Sequence, residues 1–110
     1  MKSELIEPIR EVRYREDCVG PPDSSLKDWL RANDWKYNVW TDSPSTTHAP
    51  HDHPYSHRVL VRTGWIEFGV QGERYRLTPG DALDLPKRVT HEATSAPDTS
   101  TEYWLLQNNR

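Results

Sequence analysis

What most restricts the fold of this chain is its punctuation. From Trp35 onward apolar and polar residues alternate, and turn formers recur about every 8 to 12 positions, the spacing of short antiparallel strands. The runs predict strands near 36–41, 46–53, 57–63, 65–70, 73–78, 81–85, 89–95 and 102–107. Gly64, Gln71-Gly72 and Thr78-Pro79-Gly80-Asp81 mark turns between them. Parallel strands need crossover helices, and no helical stretch separates these runs. They therefore predict an all-β sandwich or barrel.

Before Trp35 the chain reads differently. Residues 1–34 are polar and broken by Pro8, Gly20, Pro21 and Pro22, and form an N-terminal extension to a barrel spanning 35–110. Its one helical signal lies near 24–32, where Leu26, Trp29 and Leu30 fall on one face and Ser24 or Ser25 can cap. Residues 4–15 can add a strand through Ile6, Ile9, Val12 and Tyr14, although Pro8 and the charges weigh against it. A hydrophobic fraction of 34% is low, but a net charge of −3 and five Trp with five Tyr argue for one folded domain with a small core.

Charge and composition remove several function classes. Fourteen basic residues against 17 acidic ones leave no basic stripe for a nucleic-acid backbone. No apolar run approaches the roughly 20 residues of a membrane span, and the charged start MKSELIEPIREVRYRE does not resemble a signal peptide, so a cytoplasmic protein is expected. The single Cys18 can form neither an internal disulfide nor a cysteine metal site, and reads as an ordinary thiol in a loop.

The histidines carry the chemical signal. On a strand, His51 and His53 leave the same face with β-carbons roughly 6 to 7 Å apart, close enough to share a cation. A short turn through Pro54-Tyr55 can bring His57 to the same place, and His91, just after Pro86, can close the cluster from a returning strand. Imidazole is a ligand for zinc, copper, iron and nickel, and three convergent imidazoles with an open position form a working site. His48, an odd offset from His51, is expected on the opposite, solvent-facing side unless Pro50 distorts the chain.

Two spaced motifs frame these residues: Ser45-x5-His51-x-His53-x3-His57-x6-Gly64, and Gly80-x5-Pro86-x-Arg88-x2-His91-x3-Ser95. In spacing and residue type they resemble the two metal-binding motifs of the cupin family, and the stretch 65–79 between them matches that of small bacterial members. The resemblance covers roughly 35–107 and implies a jelly-roll β-barrel holding one divalent transition metal (Fe, Zn, Ni or Cu) on His51, His53 and His91. Ser45, Arg88 and Ser95 replace a glycine, a glycine and an asparagine of the family pattern. His57 replaces its glutamate ligand, so that a fourth neutral imidazole would leave the full charge of the cation in place.

Strand alternation from His57 sends Val59, Val61, Ile66, Phe68 and Val70 inward, with Tyr75 and Leu77 continuing an apolar lining suited to a small-molecule ligand. Arg58, Arg62 and Glu67 are expected on a solvated outer face. For an all-histidine cupin the resemblance implies dioxygenase-type chemistry somewhat more than isomerisation or elimination; a non-catalytic binding module or sensor is the alternative. Inward positions supply no Asp, Glu or Lys as a general base, which leaves Tyr55 or an unligated His57. Leu60 and Trp65, outward by alternation, predict a homodimer, with segment 1–15 crossing to an edge strand of the partner.

Overall fold

The computed structural model describes residues 7–18 and 22–108. Its elements are β1 (Arg13–Arg15), α1 (Asp23–Ala32), β2 (Trp35–Asp42), β3 (Thr47–His51), β4 (His57–Thr63), β5 (Ile66–Val70), β6 (Glu73–Leu77), β7 (Ala82–Leu85), β8 (His91–Ser95) and β9 (Thr101–Asn108). All the strands pair antiparallel, in a five-stranded sheet ordered β1-β7-β4-β9-β2 and a four-stranded sheet ordered β3-β8-β5-β6. Each run predicted from the period-two pattern contains a strand, but that of 46–53 ends at His51, so His53 lies on the following loop and does not share a strand face with His51. The expected barrel is not closed, however: the two sheets are separate ladders that face each other across a shared core.

That core follows the alternation. Val59 and Val61 of β4, Leu83 and Leu85 of β7, and Tyr103 of β9 meet Ile66, Phe68 and Val70 of β5, Leu77 of β6 and Ala93 of β8. The intervening residues of the same strands, Leu60, Ala82, Trp104 and Leu106, point the other way and are equally buried. They pack against Leu26 and Leu30 of α1, with Trp35 and Cys18. The five-stranded sheet is thus covered on both faces, which is why β4 reads as a nearly continuous apolar run.

This second layer corrects several expectations. Leu60 faces outward as predicted, yet α1 of the same chain covers it, and the Arg76 guanidinium lies 4.0 Å from the centroid of the half-buried Trp65 ring. Neither residue is left as bare apolar surface. Among the described residues of the expected extra strand, Arg13–Arg15 are the ones that pair, with β7. Ile6 lies outside the described residues. The helix starts at Asp23 with Pro22 in the capping position, and neither Ser24 nor Ser25 caps it. Cys18 lies in a loop as expected, and its side chain is buried in the outer core.

Arg58 departs furthest from its expected solvated face, being completely buried. Its Nη2 donates to Asp84 at 3.1 Å and to the Glu7 carbonyl at 2.8 Å, and its guanidinium lies over the Trp35 ring. Arg15 approaches the same carboxylate through Nε at 3.0 Å and Nη2 at 2.9 Å. One buried Asp84 thus holds two guanidiniums, and the N-terminal segment seals them from water. Removing the shared anion would leave both cations buried and underpaired, a case that typically costs about 3 to 5 kcal/mol. We expect Asp84→Asn to lower the unfolding free energy by about 3 kcal/mol or more, read as a drop in the urea midpoint at constant m value.

Candidate metal centre

The imidazoles converge because of strand register. His51 at the end of β3 is the direct cross-strand partner of His91 at the start of β8, and their ring centroids lie 4.5 Å apart. The loop after β3 carries His53 to 4.8 Å from the His51 ring and 5.3 Å from the His91 ring. A hydrogen bond from the Arg88 amide to the His53 carbonyl, at 2.8 Å, ties that loop to the turn before β8. One potential ligand nitrogen from each of His51, His53 and His91 lies within 4.8 Å of the others.

Positive φ angles accompany this geometry. Ser45 (φ 58) and Arg88 (φ 67) occupy the left-handed region at the two motif positions where the resemblance implies glycine. The turns have therefore kept their shape while losing the residue best suited to it. Gly64 (φ 71) is retained, and a β-carbon there would lie 2.5 Å from the Ser100 carbonyl oxygen. Ser95, standing for asparagine, accepts from the Thr46 amide and donates to the Ser43 carbonyl, each at 2.9 Å, which clamps β8 to the loop before β3.

The rings are held in orientations that suit metal binding. His51 Nδ1 lies 2.6 Å from the Ala49 carbonyl and His91 Nδ1 2.9 Å from the Val89 carbonyl. A carbonyl only accepts, so each Nδ1 carries the proton and each Nε2 presents its lone pair. His57, at the start of β4, is 4% exposed, and its ring lies 5.0 Å from that of His53 and 5.5 Å from that of His91. Its Nδ1 has no hydrogen-bond partner. Burial, then the neighbouring His53, His91 and His51, pushes the His57 pKa down to about 3. Burial is also the largest influence on His53 and His91, both held below the ordinary imidazole value. A cluster of neutral imidazoles with a buried unpartnered nitrogen at its edge fits a divalent transition metal.

The cluster opens on a cavity of about 230 Å³, walled by Val59, Ile66, Phe68, Ala93 and Leu105, with Trp40 also in its lining. Tyr55 stacks on His53 at 5.0 Å, is 38% exposed, and its hydroxyl makes no hydrogen bond among the described residues. Tyr75, expected in the lining, packs against the inter-sheet core without bordering this cavity.

Two expectations about polar groups are overturned. His48 does not face away from the cluster, because the register of β3 against β8 shifts between His48 and His51. The bulge spends one residue more on β3 than on β8, so both histidines border the cavity. Nor is the interior free of carboxylates. Asp42, the last residue of β2, is buried and accepts from His48 Nε2 at 2.7 Å and from the Tyr103 hydroxyl at 3.1 Å. The available signal was Pro50 between the two histidines, where a strand must deform, together with Asp42 at an even offset from Trp40.

Comparisons with known proteins agree with this architecture. The family model of the cupin domain matches residues 38–106. No curated protein matches the chain in sequence. Among solved structures, KdgF from Halomonas sp. is 27% identical with a TM-score of 0.60, covering 70% of this chain and 71% of its own. The DMSP lyase DddQ from Ruegeria pomeroyi is 25% identical with a TM-score of 0.62, over 69% of this chain but 39% of that one. A salicylate 1,2-dioxygenase from Pseudoaminobacter salicylatoxidans, in complex with gentisate, shares the fold at 17% identity and a TM-score of 0.61, over 68% of this chain and 20% of its own.

The lowered His57 pKa has a consequence for stability. Above about pH 6.5 the imidazole is neutral in both folded and unfolded chains, and its contribution is fully present. Below that the unfolded chain takes up a proton the folded chain refuses, so stability is lost as pH falls toward about 3. In chelator-treated protein the melting temperature is expected to fall between pH 6.5 and 4. His57→Leu should flatten that dependence, as followed by circular dichroism.

Proposed function

The chain belongs to the cupin family, and on that premise we propose that it holds one divalent transition metal on His51, His53 and His91, with His57 as fourth ligand, to bind and activate a small organic molecule. The observation that carries this reading is the tethering of His51 and His91 through Nδ1 to backbone carbonyls, which leaves both Nε2 lone pairs for a cation in a group where one nitrogen of each of His51, His53 and His91 lies within 4.8 Å of the others, beside an apolar cavity. Solvated strand histidines have no reason to adopt one tautomer at one point. A cation bound there supplies Lewis acidity toward a carbonyl or carboxylate oxygen.

The residues around the cluster define the rest of the site. Val59, Ile66, Phe68 and Leu105 exclude water and favour a partly apolar ligand, while His57, buried behind the cluster, keeps its donor atom unprotonated. A donor set without carboxylate suits iron, zinc, nickel or copper better than manganese or magnesium. The likeness to a DMSP lyase at 25% identity favours lyase chemistry at this centre. The second reading, dioxygenase-type oxidation, rests on the all-imidazole set, which also suits redox-active iron and copper.

Elemental analysis of protein purified without an affinity tag tests both readings: zinc or nickel supports the first, iron or copper the second, and absence of stoichiometric metal overturns the proposal. His53→Ala should lose metal on dialysis. His57→Glu should keep it and bind manganese more tightly than the natural protein, since an anionic oxygen ligand offsets one unit of the cation's charge. Titration of manganese by electron paramagnetic resonance checks this, and unchanged affinity in both His57→Glu and His57→Ala would remove His57 from the ligand set.

A further inference from the structure

The cavity has a second polar group, apart from the imidazole cluster. His48 Nε2 lies 2.7 Å from Asp42 Oδ2 and 3.4 Å from the Tyr103 hydroxyl, which is itself 3.1 Å from both Asp42 oxygens. The carboxylate can only accept, so the phenol and the His48 Nε2–H both donate to it. Burial, reinforced by Asp42, raises the Tyr103 pKa, which keeps the phenol a donor at neutral pH. The tautomer of His48 is thereby set. In the neutral imidazole the proton is on Nε2, and Nδ1, which has no hydrogen-bond partner among the described residues, carries the lone pair. His48 borders the same cavity as His51, His53, His57 and His91 and is three residues from the nearest of them in sequence.

An imidazole oriented by a buried carboxylate and bordering a ligand cavity has the arrangement of a general base. We infer that His48 is the proton-transfer residue of this site, that Asp42 and Tyr103 are its positioning residues, and that the substrate class is a small enolisable carbonyl compound. The substrate class follows from the lining. No Arg or Lys borders the cavity, so the imidazole cluster is the one place for a negatively charged oxygen, and the remaining wall is apolar. A carbonyl compound oriented with its oxygen toward the cluster can present the adjacent C–H bond to His48.

The step balances within the substrate and His48. The C–H bond next to the carbonyl breaks, and its proton moves to His48 Nδ1. The electron pair becomes a C=C bond as the carbonyl π pair moves onto oxygen. Return of that proton to carbon regenerates the carbonyl compound; alternatively a β-substituent departs with its bonding pair and takes the proton from His48, which completes an elimination and restores the base. Neither outcome requires an oxidant or a reductant.

This inference rests on the proposed metal-dependent reading, and the test separates the two. In chelator-treated protein labelled with ¹⁵N-histidine, long-range ¹H–¹⁵N spectra should show His48 protonated at Nε2, and Asp42→Asn should shift it toward the other tautomer. A neutral His48 protonated at Nδ1 in the natural protein overturns the inference, whatever the metal result. In zinc-loaded protein, 2-oxobutanoate in deuterium oxide should exchange its C3 protons, followed by proton NMR. His48→Gln should slow exchange by about 100-fold or more with zinc content unchanged, and Tyr103→Phe and Asp42→Asn should slow it by about 10-fold. Equal exchange in His48→Gln, loss of zinc from that variant, or no exchange by zinc-loaded natural protein each overturns the inference. Failure of the natural protein to hold zinc, with the His48 tautomer as expected, instead overturns the metal reading.

Discussion

Strands β4 and β9 carry large apolar side chains on both faces, so the sheet they anchor is stable in water only when both faces are covered. The inner face is covered by the second sheet, and the space between the two becomes core at one end and cavity at the other. The outer face is covered by α1. The N-terminal segment adds β1 to the sheet edge, which places the Arg15–Asp84–Arg58 network under it. A chain poor in aliphatic residues reaches an adequate core in this way, by burying one sheet twice.

The site is made from the end of the sandwich where that packing opens. Cross-strand pairing of β3 with β8 sets His51 against His91, and the Arg88–His53 backbone hydrogen bond brings the loop histidine to them. The electrostatics are consistent with this placement. Burial and mutual repulsion resist protonation of His53, His57 and His91, which keeps these three imidazoles ready for a cation at ordinary pH. On the other side of the cavity Asp42 accepts from both His48 and Tyr103.

The β3 bulge links these two halves. Without it, His48 would lie on the far side of the strand from His51, and Asp42 would be a buried carboxylate with Tyr103 as its one side-chain partner. With it, one short strand contributes both a candidate ligand and a candidate base. Trp40 at the rim, 51% exposed, stands beside this opening.

Periodicity and punctuation alone determined much of this protein. The strands after Trp35, the inward set Val59, Val61, Ile66, Phe68 and Val70, and the helix near 24–32 all follow from local rules: a period of two, a period of 3.6, and turn residues at fixed offsets. Tertiary structure decided what those rules cannot reach. Alternation sends Leu60 and Arg58 outward, but whether outward means water depends on which distant segment returns to cover them, and α1 and β1 do. Alternation also places His48 opposite His51, but a bulge depends on the register of two strands more than forty positions apart. Asp42 reads as a strand-end acid until Tyr103 and His48 arrive from elsewhere in the chain to bind it. Face and period are properties of neighbours along the chain, whereas burial and partnership are properties of neighbours in space.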